Sequence, residues 1–342
     1  ISLKCISSDI YKLLPLIGWM ITKPLLKSDQ IELEKDLTIK SLTRQKESIY
    51  QQAFDGWRKM IYKDGPYGHD PLGSINDLIT VKKKHIIPIA NSLINREKTL
   101  VIGGYIPSEI ENHIINSTEF NSIFKDSSIK IETKSNFLDN KLINNINFNI
   151  RYLNTKQVVL LLGKATISYC SEEDILLRLI SSYLGYGMSS LLFKVLREKY
   201  GVVYEAGIYH PVREHQTPFI MHASTTEEKA IFTIKLLKEC WGKILNDEIP
   251  LEELNLAKIK YRGQFAHSLQ SISQRAERKA HLLGMGLTND HDNKINKRLE
   301  SITSKEILKG AKRYLDKPSL SVCCNKEIAK KIKKEWNRSM NI

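Results

Sequence analysis

Leu184-Gly185-Tyr186-Gly187-Met188-Ser189-Ser190-Leu191-Leu192-Phe193, continued by Leu196-Arg197-Glu198-Lys199-Tyr200-Gly201-Val202-Val203-Tyr204, is the stretch on which the reading of this chain turns. Gly185 and Gly187 with Ser189 and Ser190 make a tight turn into a helix over Leu191–Tyr200. Gly201 stops that helix, and the valines after it open a strand. A glycine turn can cradle a phosphate, but no G-x-x-x-x-G-K-[ST] spacing is present, so nucleotide binding is set aside. The plain alternative is a turn that closes a helix pair. Arg197 and Tyr204 lie seven apart across the helix end and the following strand, where a cation suits the helix dipole and an aromatic suits a sheet.

Outward from this stretch the pattern alternates between helix and strand. On its C-terminal side come strands over Val202–His210 and Phe219–Thr225, joined by a loop with Pro211 and Pro218. Helices over Glu228–Leu245, Leu251–Gln270 and Lys305–Leu315 and a strand over Leu320–Cys324 follow. On its N-terminal side lie strand candidates Asn147–Leu153 and Gln157–Gly163 and a helix over Ser171–Tyr183, in which Ser171 and Asp174 form a pair like a capping box. Further upstream, Ile1–Ile6 reads as a strand and Ser8–Met20 as a helix. Two more helices run from Ser28 to about Lys46 and over Tyr50–Tyr62, the latter with Phe54, Trp57 and Ile61 on one face. A turn-rich loop spans Asp64–Gly73, a helix covers Val81–Leu93, a strand covers Thr99–Ile102, and Ser108 starts another helix. From about Asn116 to Asn140 the chain is polar and without periodicity. Two α+β units of related design follow from this order.

Composition narrows the classes. The 342 residues allow two domains, and 42% hydrophobic with 26% charged residues describes a folded chain. Lys and Arg number 52 against 38 Asp and Glu, a formal +14. Ile, Lys and Asn are abundant throughout, so the excess reads as a lysine-rich background, with an acidic partner face as a second use. No aromatic-basic interleaving points to nucleic acid. The five cysteines (Cys5, Cys170, Cys240, Cys323, Cys324) have no metal-ligand spacing and sit in apolar runs, which predicts buried thiols and a reducing compartment, cytoplasm or organelle matrix. Cys323 and Cys324 should point to opposite faces of a strand. No run reaches membrane-spanning length. Among the nine histidines, His210, His215 and His222 cluster in sequence around Glu214. A hairpin pairing His210 with Phe219 would set His222 opposite Gly207, on the other face from His210, so the three should not converge on a metal.

The motif Leu-Gly-x-Gly-Met-Ser-Ser-x-Leu-Phe over 184–193, with Leu-Arg-Glu-Lys-x-Gly-x-x-Tyr over 196–204, resembles the C-terminal domain of the pitrilysin/insulinase family of zinc metallopeptidases, in its mitochondrial processing peptidase-like branch. Ile249-Pro250-Leu251-Glu252-Glu253-Leu254, the Ser271–Ala280 segment, and Pro66-Tyr67-Gly68 with Pro71-Leu72-Gly73 extend the likeness over nearly the whole chain. The resemblance implies an α+β fold of two related α/β units, each a mixed, mostly antiparallel sheet packed with helices. It places the later part of a peptidase-like N-terminal domain at 1–118, a linker at 119–140 and the C-terminal domain at 141–342.

The family's zinc site needs an H-x-x-E-H helix and a distant third Glu. No histidine here has that spacing, and by element order the zinc helix would precede Ile1. The third-ligand position, counted from Glu34, falls on Ser41, whose hydroxyl cannot supply the charged ligand; only a shifted alignment would bring in Glu47. What the family's pattern does retain is Arg197 and Tyr204, the pair that its C-terminal domain presents to peptide substrates, with guanidinium to backbone carbonyls and phenol to an oxyanion. The resemblance therefore implies a subunit with no cofactor of its own, paired with a homologous zinc-bearing subunit and acting on extended peptides. Two alternatives stand beside it: a fragment of an active zinc peptidase whose H-x-x-E-H lies upstream of Ile1, and a peptidase-like scaffold without proteolytic role.

Overall fold

The computed structural model describes residues 1–94, 96, 98–121, 123 and 147–338. The first elements are α1 (Ile10–Thr22), α2 (Ser28–Glu47), α3 (Ile49–Tyr62), α4 (Ile75–Thr80), α5 (Lys83–Ile94), α6 (Ile110–Asn116) and α7 (Thr118–Asn121). After them come β1 (Phe148–Tyr152), β2 (Gln157–Ala165), α8 (Asp174–Gly185), a π-helical segment (Phe193–Lys199), β3 (Glu205–Tyr209) and β4 (Pro218–Thr226). The chain continues with α9 (Ala230–Asn246), α10 (Leu251–His267), α11 (Ile272–Gly284), α12 (His291–Ser301), α13 (Ser304–Tyr314), β5 (Ser319–Cys324) and α14 (Lys326–Arg338).

The described residues fall into two units. One holds those within Ile1–Leu42, Leu72–Phe137 and Phe265–His291; the other holds those within Thr43–Pro71, Leu138–Gln264 and Asp292–Ile342. These limits cross the divisions read from sequence at 118 and 141. The stretch expected as a linker, 119–140, lies largely outside the described residues; of its described part, 119–121 close α7, and Phe120 and Ile123 are buried with Leu14 and Ile110.

The first unit is helical among its described residues. Ile1–Ile6 and Thr99–Ile102, expected as strands, are irregular, and Ile1, Leu3 and Ile6 are exposed. A short apolar run becomes a strand only where a neighbour takes up its N–H and C=O groups, and none of the described residues of this unit does so.

The second unit is built on one five-stranded sheet in the order β1-β5-β2-β4-β3. Only β1–β5 is parallel; the other pairs are antiparallel, as the expected mixed sheet requires. Alternation along the strands divides the core. Leu160, Leu162, Phe219, Met221, Leu320, Val322 and Cys324 face α8, α9, α13 and α14, while Val159, Leu161, Ile220 and Cys323 face α3. Cys323 and Cys324 thus point to opposite faces, as read. Burial pushes the Cys323 and Cys240 thiols up to about 11 and Cys324 to about 12, so all three stay protonated at neutral pH. Cys5 is the exception to the buried-thiol expectation: it is exposed in the irregular N-terminal stretch. No helix among the described residues is long and apolar enough to cross a membrane.

The expected capping box at Ser171 and Asp174 is absent. Glu173 occupies the N-cap without a side-chain bond, and the Ser171 hydroxyl accepts from the Glu173 N–H instead. Asp174 is buried and spends its carboxylate on Arg178 Nε at 2.5 Å and on His210 Nε2 at 3.0 Å. Tertiary pairing has overridden the local cap.

Candidate peptide-contact site

The Leu184–Tyr204 stretch begins where α8 runs out against β3. A Cβ on Gly185 would lie 2.8 Å from both the backbone N and the Cγ1 of Ile208, so only glycine lets the helix end pass the strand this closely. Gly187 turns the chain at φ +74°, and the buried Ser190 closes the turn, donating its N–H to the Gly187 carbonyl at 3.0 Å. We expect Gly185→Ala to cost about 1–3 kcal/mol in denaturant unfolding, because Ile208 backbone and not a flexible tip stands in the way. An unchanged midpoint would show that α8 can retreat without penalty.

The helix that follows is wound as a π-helix. Tyr200 N–H reaches the Val195 carbonyl at 3.3 Å, five residues back, with Leu192 and Leu196 anchored in the core. Gly201, at φ +57°, reverses the chain. Four bonds then pin the backbone beyond it. Val202 N–H donates to Leu196 O at 2.9 Å, Lys229 Nζ to Gly201 O at 2.8 Å, Thr225 Oγ1 to Val202 O at 2.5 Å, and Tyr204 N–H to Ser224 O at 2.9 Å. Lys229, Thr225 and Ser224 were not singled out by sequence, because their contacts to 201–204 run through chain reversal and carry no motif.

On this rigid frame Arg197 and Tyr204 stand exposed, Tyr204 by 67% of its surface. The Arg197 guanidinium lies 5.2 Å from the Phe193 ring centroid. Among the described residues neither the guanidinium nor the Tyr204 hydroxyl has a hydrogen-bond or ion-pair partner. β3, which starts directly after Tyr204, is an edge strand whose outer side pairs with no strand among the described residues.

The other sequence candidates lie elsewhere. Ser41 is exposed on α2 and donates its hydroxyl to the Leu37 carbonyl of its own helix at 2.9 Å; Glu34 and Glu47 are exposed on the same helix. His222 sits opposite Gly207, the register read from sequence. Its ring occupies the space a Gly207 Cβ would need, 2.9 Å from Nε2, and meets the Tyr50 ring edge-on at 5.4 Å. His210 is buried on the other face, held by Asp174 and by the Pro218 carbonyl at 3.1 Å, so it is no surface histidine. His215 packs on Tyr67. The three do not converge, and among the described residues no group of three His, Cys, Asp or Glu could hold a metal ion.

Burial pushes His222 below its ordinary value of 6.5, against the opposing pull of Glu205. A histidine depressed in the folded state contributes stability above about pH 6.5 that is lost as pH falls through the folded value. His222→Gln should flatten the stability-versus-pH curve below pH 6.5 by up to about 1.4 kcal/mol per pH unit. Superimposable curves for the two proteins would remove His222 from the acid response.

Residues 119–261 match the family model described as the peptidase M16 inactive domain. Over this stretch the chain is similar to a peptidase M16 inactive domain. The stretch contains the whole Leu184–Tyr204 motif, and the family resemblance read there is borne out. Two curated relatives, each called an uncharacterized zinc protease, come from Rickettsia felis and Rickettsia bellii. They are 26% identical over 276 residues and 24% identical over 277 residues, in each case 80% of this chain and 65% of the relative. The matched stretch therefore spans under two thirds of these relatives' length. Among solved structures, an M16 inactive domain from Pseudomonas fluorescens superposes with a TM-score of 0.79 at 16% identity, covering 93% of this chain and 75% of that one. A protease from Helicobacter pylori gives 0.75 at 18%, covering 92% and 77%. These structures establish the fold of the M16 domain.

Proposed function

We propose that this chain is the zinc-less subunit of a heterodimeric metallopeptidase, and that its M16 domain presents Arg197 and Tyr204 to a peptide held between it and a zinc-bearing homologous partner. The observation that carries the reading is the pair itself: two exposed polar side chains, without a hydrogen-bond or ion-pair partner among the described residues, on a backbone pinned by four hydrogen bonds. An Arg left unpaired on a fixed segment can direct its forked donors to peptide carbonyls, and a phenol can donate to the oxygen of a tetrahedral intermediate. Preorganisation matters here, since a donor that must first be ordered gives back much of its worth. The open edge of β3 offers an extended peptide a strand to pair with. On this reading the metal belongs to the partner, and Ser41, the position that the resemblance assigns to the third ligand, offers only a hydroxyl.

A second reading, an active zinc peptidase of which this chain is a part, draws support from the names of the Rickettsia relatives. Co-purification from the native source followed by metal analysis separates the two. One zinc per heterodimer, retained when the partner is isolated and absent when this protein is isolated full-length, supports the subunit reading. Stoichiometric zinc on the isolated full-length protein supports the second. A third reading, a scaffold without proteolytic role, is tested by the Arg197 and Tyr204 variants.

A further inference from the structure

The positive charge of this chain is concentrated. α9 packs against both α13 and α14 over one face of the sheet. Within their bounds the three helices carry net charges of +2, +3 and +4, nine of the chain's fourteen, in 41 residues. The placement follows from helical periodicity. On α14, Ile328, Ala329, Ile332 and Trp336 are buried, and Lys326, Lys330, Lys331, Lys333, Lys334 and Arg338 are exposed beside a single exposed acid, Glu327. On α13, Lys305, Lys309 and Lys312 repeat at the same spacing on its exposed side. Neutralisation is slight. Lys235 pairs with Glu335 at 3.8 Å, Arg313 with Glu173 at 3.0 Å, and Glu306 with Arg298 at 2.6 Å. Among the described residues, Lys305, Lys309, Lys312, Lys330, Lys333 and Lys334 have no ion pair.

We propose that this helical layer is a docking surface for an anionic lipid bilayer. The chemistry favours that occupant. The charges are almost all lysines, compact, strongly hydrated and on flexible stems, which suits a diffuse anionic plane better than a desolvated protein interface, where lysine is depleted. Phe232 lies on the outward line of α9 with Lys235, Glu239 and Lys243; its ring meets Tyr200 edge-on at 5.2 Å and is still 42% exposed. A headgroup region accepts such a ring, whereas a phosphodiester backbone gives it nothing. The apolar face of α14 is already buried against the sheet, so the helix does not insert, and attachment is electrostatic and reversible.

The test is sedimentation of the full-length protein with phosphatidylcholine vesicles containing about one third phosphatidylglycerol, at low salt and at about 0.5 M salt. Binding at low salt that is lost at high salt is expected. Lys330→Gln, Lys333→Gln and Lys334→Gln together should lower partitioning by about a hundredfold. The same loss of charge at Lys82, Lys83 and Lys84, exposed at the start of α5, should leave it within about threefold of wild type. Three results would overturn the proposal: no binding to anionic vesicles at low salt, equal losses in the two triple variants, or tighter salt-matched retention on duplex DNA than on vesicles.

Discussion

If the proposed heterodimer forms, Arg197→Ala combined with Tyr204→Phe will lower its peptide-cleaving rate by about a hundredfold or more, with no change in thermal midpoint. The rate loss follows from the roles the two groups would play. Removing one preorganised oxyanion donor costs about 10²–10³ in kcat, so Tyr204→Phe should act on kcat. Arg197 would hold substrate carbonyls in ground and transition states alike, so Arg197→Ala should act mainly on KM. Arg197→Lys should restore little, because an ammonium lacks the planar fork. The unchanged midpoint follows from exposure: neither side chain is buried, and surface changes of this kind stay within about 0.5 kcal/mol. Kinetics equal to wild type in the double variant would leave the scaffold reading in place.

Trp57→Ala will destabilise the protein by about 3–5 kcal/mol, the largest single-site effect expected in the fold. Trp57 is fully buried between α3 and the sheet, among Val159, Leu161, Ala165, Ile220 and Cys323. Truncation leaves a cavity in the apolar layer that joins α3 to that face. The helix lies too close to the strands to collapse further: the Ser321 hydroxyl donates to the Ala53 carbonyl at 2.7 Å, and a Cβ on Gly56 would overlap the Asn149 side chain. Trp57→Phe should cost far less, because the indole N–H has no hydrogen-bond partner among the described residues and its loss strands nothing there. Urea unfolding measures both. Equal costs for Phe and Ala would mean that the lost volume is not what matters.

That helix also marks where sequence reasoning ran out. The apolar stripe of Phe54, Trp57 and Ile61 was visible, but not what it covers. The resemblance places α3 in the N-terminal domain, yet this helix closes the second face of a sheet whose first strand opens only at Phe148. Periodicity reports that a face is buried and says nothing about its partner. The same limit hid the Asp174–His210 pair, in which a residue placed for a local cap is claimed by one 36 positions away. What was legible was local or nearly so. The glycine turn, the helix stop at Gly201, the hairpin register that sets His222 opposite Gly207, and the divergence of Cys323 and Cys324 each follow from short-range geometry. Ile1–Ile6 and Thr99–Ile102 failed for the complementary reason, since an apolar run is a strand only if a sheet receives it. The net +14 was read as background, because counting charges along the chain does not show that three helices share one outward face.

The central claim is that the metal and the water-activating carboxylate lie outside this chain while Arg197 and Tyr204 lie within it. Cleavage of an unstructured peptide by the purified full-length protein, alone and with the proposed zinc-bearing partner, tests this most directly. The expected result is no chelator-sensitive cleavage by the protein alone and zinc-dependent cleavage by the pair. Chelator-sensitive cleavage by the protein alone would contradict it.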